Sequence, residues 1–180
     1  MLHSLLRCAP LLLLLLWAAV IDWRERRIPN WLNAALIVGG LAQSFCAAHV
    51  VGSGQSVLGL FTGAALPFVL FAIGAAGAGD VKLMAGIGAW LGPYGALAVY
   101  VIEKVLGLVI VLSQAAWQGR TRVLLRNSAV VAVNLLYVKE VGVEHAAQTG
   151  RSCRSVDRPL PFAVPALAAT VLVVIHLAGG

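Results

Sequence analysis

The chain has 180 residues, 61% hydrophobic and only 11% charged, with a mean hydropathy of +0.92 and a formal net charge of +6. A soluble domain is nearer a quarter charged, so this balance excludes an ordinary soluble enzyme and points to a polytopic membrane protein. In such a protein the location of the positive charges says more than their sum.

A spanning helix needs roughly 20 mainly apolar residues. The first such stretch is 5–21, followed by the charged run DWRERR (22–27) and then IPN (28–30). Pro29 suits a loop or the first turn of a new helix. The second stretch is 31–51, closed by the loop residues GSGQS (52–56), and the third is 57–76. After Asp80 the apolar pattern resumes, pauses at GPYG (92–95) and continues to about 117. Residues 118–159 are mixed and basic, and 162–178 form a last apolar segment. The pattern predicts an all-α polytopic membrane helix bundle, one domain over 1–180, with about six transmembrane segments. The fourth, at about 81–91, is too short to span unaided.

Every lysine and arginine except Arg7 and Lys104 falls in the alternate loops 22–30, 77–82 and 118–159, while 52–56 and 92–95 are uncharged. The positive-inside rule therefore makes the alternate loops cytoplasmic and puts both termini outside. A cleaved signal peptide is the competing reading of LLLLLLWAAV (11–20), but it needs positive charge before the segment and little after it. Here Arg7 stands alone in front and three arginines follow.

There are seven acidic residues: Asp22, Glu25, Asp80, Glu103, Glu140, Glu144 and Asp157. Asp22 sits where the first helix meets the cytoplasm, and two crossings later the chain returns to that face at Asp80. An even number of crossings lets both carboxylates meet at one level of the membrane. Taken alone, Asp22 reads as an interfacial residue balanced by Arg24 and Arg26. Asp80 is harder to dismiss, because membrane-embedded acids are rare and mark ion pathways, proton relays or catalysis. Gly77 and Gly79 let the backbone leave helical geometry and admit another chain closely. The start of the short fourth helix lies near Asp80, where the helix dipole favours a carboxylate. Two facing carboxylates that share a proton suit peptide hydrolysis, one as general base on a water and the other as proton donor. Like charges held close cannot both ionise cheaply, so such a pair titrates as a unit.

DWRERRIPN (22–30) and GAGDVKLMAGIGAWLG (77–92) resemble the two signature regions of type IV prepilin peptidases, the GxGD-type membrane aspartic proteases. PLPFAVPAL (159–167) is similar to that family's Pro-aromatic opening to its final helix. The resemblance implies that Asp22 and Asp80 are the catalytic pair. It also implies that the substrate is a pilin-like precursor, cut after its short positive leader at the cytoplasmic face of the bacterial inner membrane, in pilus assembly and protein secretion. Longer members of that family carry a cytoplasmic insertion with paired CxxC motifs and also methylate the new N-terminus. This chain has three cysteines, Cys8, Cys46 and Cys153, and no CxxC. It resembles the short peptidase-only members of tight-adherence (Flp-type) pilus systems, so methylation is not expected.

Lys82 follows Asp80 closely, where it would tune the acid or touch a substrate carbonyl; inside-positive anchoring explains it equally well. Glu103 and Lys104 lie in the fifth apolar segment; adjacent residues do not share a helix face, so an ion pair is not expected. The four histidines have no metal-ligand spacing, and no cofactor or metal is expected. No nucleic-acid motif is present; the lipid bilayer and the precursor are the expected partners. AVVAVNLLYV (129–138) would lie amphipathically on the membrane, its neighbouring arginines near anionic headgroups. Two other classes compete: a small proton-coupled transporter or channel using Asp22, Asp80 and Glu103 as a relay, and a non-catalytic assembly factor. A relay would distribute its acids through the membrane depth.

Overall fold

A computed structural model describes residues 2–46, 51–72, 76–117 and 162–179. The expected basic loop at 118–159, with its amphipathic stretch and Cys153, lies outside the described residues. Among the described residues the chain is all helical: α1 (Leu2–Glu25), α2 (Asn30–Gln43), α3 (Ser53–Ala72), α4 (Ala78–Trp117) and α5 (Ala163–Gly179). Two of these are long and apolar enough to cross a membrane on those grounds alone, Ser53–Ala72 and Ala78–Gln114.

The second of those is not one rod. Gly92 has φ 74 and ψ −178, a left-handed conformation that glycine adopts without a Cβ penalty. The chain turns back there, and Gly88 comes to lie against Ala96 across the break. Pro93, which has no N–H to lose, opens the second limb. The expected pause at GPYG is thus the tip of a helical hairpin with limbs 78–91 and 93–117, which agrees with a short fourth segment. As helices, though not as six membrane spans, the expected apolar segments recur within a few residues, except that the second is shorter, its helix ending at Gln43.

Helical periodicity decides which faces meet. On α1 the residues Cys8, Leu11, Leu15 and Ala18 recur at three- and four-residue spacing and are buried, while Leu13, Leu16, Trp17 and Val20 on the other faces are exposed. They pack with Leu32 and Leu36 of α2, Met84 and Ile87 of α4, and Ala166, Ala169 and Val173 of α5. α3 crosses the first limb of α4 at glycine: a methyl at Gly59 would overlap the Gly88 carbonyl, and one at Gly63 the Met84 carbonyl. Such small-residue contacts are how helices approach closely in lipid. Ser56 of α3 lies fully buried in the same crossing, its Oγ 2.6 Å from the Ala89 carbonyl and 3.1 Å from that of Gly40, which ties three helices together. Trp90 donates its indole N–H to the Leu36 carbonyl at 3.0 Å. Outside, Phe61, Phe68, Val101, Leu108 and Leu177 are among many exposed apolar side chains, a surface suited to hydrocarbon rather than water.

Candidate active site

Asp22 extends the buried stripe of α1 by one more turn, so the periodicity that builds the core also turns its carboxylate inward, to 6% exposure. The helix stops just beyond it. The Arg26 N–H still reaches the Asp22 carbonyl at 3.0 Å, but Arg26 itself is left-handed (φ 54), and Pro29 then sets the entry to α2. Inside the bundle, Asp22 Oδ2 accepts the Ala163 N–H at 2.9 Å. That N–H is one of the unpaired donors at the start of α5, where the positive end of the helix dipole favours a carboxylate. Beyond the interfacial position expected of it, the acid is buried and faces the start of α5.

Asp80 stands in the first turn of α4 and is partly buried. Its Oδ2 accepts the Gly77 N–H at 3.0 Å, a side chain in the first turn reaching back to the residue that precedes the helix. Gly77 and Gly79 do not take left-handed φ values; that freedom is used at Gly92 instead. What Gly79 does leave is open space, since a Cβ there would meet nothing within 4 Å. The expected departure from helical geometry is therefore replaced at Gly79 by room for a close approach.

The structure brings the two aspartates within electrostatic reach of each other. Oδ2 of each is fixed by a backbone N–H, from Gly77 for Asp80 and from Ala163 for Asp22. Lys82 Nζ donates to Asn30 Oδ1 at 2.8 Å, which links the segment containing Asp80 to the one following Asp22.

Two further charges arrive by way of the hairpin. Asp80 lies twelve residues before Gly92 and Glu103 eleven after it. At 1.5 Å per residue both sit about 17 Å from the turn. Glu103 continues the buried stripe of Ala96 and Val99 and is 3% exposed. Contrary to the expectation from their adjacency, Lys104 pairs with it: Nζ lies 2.9 Å from Glu103 Oε2, off the hydrogen-bonding direction. The long lysine side chain bends back across the helix, so facing directions at Cβ do not limit the head group. Both charges are within electrostatic reach of Asp80. Among the described residues no three His, Cys, Asp or Glu side chains gather to hold a metal ion.

A family model described as the type IV leader peptidase family matches residues 9–112, more than half of the chain. The chain belongs to that family. No curated protein and no solved structure matches it. The region matched to the leader peptidase family includes Asp22, Asn30, Asp80, Lys82, Glu103 and Lys104, and leaves out α5 with its N–H to Asp22. Membership and the apolar helices together make this a membrane protein of a peptidase family. Sequence reasoning singled out both aspartates and Lys82 but not Asn30 or the Ala163 N–H. The Pro-aromatic opening of the last helix was the one signal near the latter.

Proposed function

We propose that this chain is a membrane aspartic endopeptidase that removes the leader of type IV prepilins or pilin-like precursors, with Asp22 and Asp80 as its catalytic pair. The observation that supports the reading is that two carboxylates from distant parts of a leader-peptidase chain lie within electrostatic reach of each other, each held through Oδ2 by a backbone N–H. Sharing one proton, the ionised partner takes a proton from a water, whose oxygen attacks the scissile carbonyl carbon. The protonated partner hydrogen-bonds to the carbonyl oxygen and supplies the proton that the leaving amine needs as the C–N bond breaks. The open space over Gly79 supports an approach of extended substrate backbone beside Asp80.

The basic loops support a placement of this end of the bundle at the cytoplasmic face of a bacterial inner membrane, crossed several times, which is the side where a positive leader stays. A proton-relay transporter is less well supported. Asp22 and Glu103 both lie within electrostatic reach of Asp80, instead of being spaced out as the steps of a relay through the depth. The absence of a CxxC-bearing insertion supports cleavage without methylation. Lys82, Gly77 and Gly79 support the pair. The precursor and the bilayer are the partners; nucleic acid and cofactors have no part.

The test is cleavage of a pilin-like precursor by the purified protein in detergent. Asp22→Asn and Asp80→Asn each abolish processing while the protein still inserts, and the double variant is no worse than either, since groups acting as a unit are not additive. Near wild-type turnover in either single variant sinks the acid-pair reading.

A further inference from the structure

Lys104 is held from three sides. Its Nζ lies 2.9 Å from the buried Glu103 carboxylate, 5.0 Å from the centre of the Tyr100 ring and 4.6 Å from that of Phe162. Tyr100 is one turn back on the same face of α4, and a ring face within about 6 Å attracts a cation. Phe162 comes from a different element. It directly precedes Ala163, whose N–H holds Asp22. One ammonium therefore touches the residue beside the anchor of Asp22, while its charge also acts on Asp80. Glu103 is 4% exposed at its side chain and Lys104 39%, so the acid is the more deeply buried partner.

A purely structural account makes Lys104 the neutraliser of a buried Glu103. That account needs neither the two rings nor the nearness to Asp80. We propose that Lys104 is a positioning residue for the acid pair, a fixed positive charge clamped by Glu103, Tyr100 and Phe162 that holds Asp80 in its working charge state and seats the start of α5 against Asp22. The proposal rests on the acid-pair reading above and deepens it.

The surroundings limit what else sets the charge there. α2 and α3 carry no titratable side chain, and α5 carries His176 alone, thirteen residues beyond Ala163. Among the described residues, α1 contributes Asp22, Arg24 and Glu25 at this end, the turn after it Arg26 and Arg27, and α4 Lys82, Tyr100, Glu103 and Lys104. Removing the Lys104 charge and removing the Glu103 charge must therefore act on Asp80 in opposite senses.

The experiment measures pH–rate profiles for precursor cleavage by the full-length protein in detergent, with thermal stability measured alongside. Lys104→Gln moves the acid limb to higher pH by about one unit and lowers kcat roughly tenfold. Lys104→Arg keeps the charge and restores the limb to its wild-type position. Glu103→Gln moves the limb to lower pH, and this arm stands even if Lys104→Gln fails to fold. An unmoved limb in folded Lys104→Gln, the same limb in Lys104→Gln and Lys104→Arg, or an upward shift in Glu103→Gln overturns the proposal. If Asp22→Asn or Asp80→Asn stays active, the acid-pair reading fails first; if both are dead and these profiles coincide with wild type, only the role of Lys104 fails.

Discussion

The bond between Lys82 and Asn30 joins side chains 52 positions apart, at 2.8 Å, with both residues exposed. Lys82 is two residues past Asp80, and Asn30 opens α2 just after the turn that ends α1 at Asp22. The bond therefore fixes the start of α4 against the α1–α2 turn. A hydrogen bond with a charged donor contributes about 1.5–3 kcal/mol when shielded, and exposure brings it nearer 1 kcal/mol. About 1 kcal/mol corresponds to roughly fivefold in rate. Asn30→Ala and Lys82→Met are each expected to lower kcat/KM for precursor cleavage by up to about fivefold and to cost no more than about 1 kcal/mol of stability, so the folded protein is what the assay reads. The double variant should also lose about fivefold, because the second substitution removes a partner that has already lost its bond. A loss near 25-fold in the double, the product of two independent effects, refutes the reasoning, as does a wild-type rate in Asn30→Ala.

Gly88→Ala forces a methyl into the Gly59 backbone, so α3 and α4 must separate. The expected cost is about 1–3 kcal/mol or more, read as a lower melting temperature in detergent and lost cleavage. Ser56→Ala removes only the buried hydroxyl, and about 1 kcal/mol of stability should go while the folded protein still cleaves. Cysteines introduced at 52–56 should be labelled from the periplasmic side and those at 118–159 should not; the reverse pattern would put the acid pair on the wrong side for a cytoplasmic leader. Mass spectrometry of the cleaved precursor with a methyl donor present should find an unmethylated N-terminus.

The positions of Asp22 at the end of α1 and of Asp80 at the start of α4 were legible because they are local. The end of the apolar stretch 5–21 marks one, and the glycine-bounded start of α4 marks the other. The parity of crossings then brought the two acids to one face without any coordinates. What the sequence did not offer were contacts between distant segments. The Ala163 N–H carries no side-chain signal at all, because any residue but proline supplies one. Glu103 reaches Asp80 only because Gly92 reverses the chain midway between them, and GPYG read as a pause conveys the turn but not the register. The pairing of Glu103 with Lys104 depends on a flexible side chain, which face-counting on a helical wheel ignores.

The left-handed residue at Gly92 also sets a length. Between Ala78 and that turn the helix rises about 21 Å, well short of a hydrocarbon layer about 30 Å thick. A rod that short cannot make up the difference by tilting. In the proposed placement the bilayer must thin beside it, or the ends of the limb must sit below the headgroups, at a fraction of a kcal/mol per Å. Where the bilayer thins, Asp80, in the limb's first turn, comes near the water boundary without the chain having to unfold a deeper helix. Membrane thickness then becomes a variable of the reaction: in bilayers of longer acyl chains the same protein, equally folded, would present its carboxylates beneath a thicker apolar layer and work more slowly.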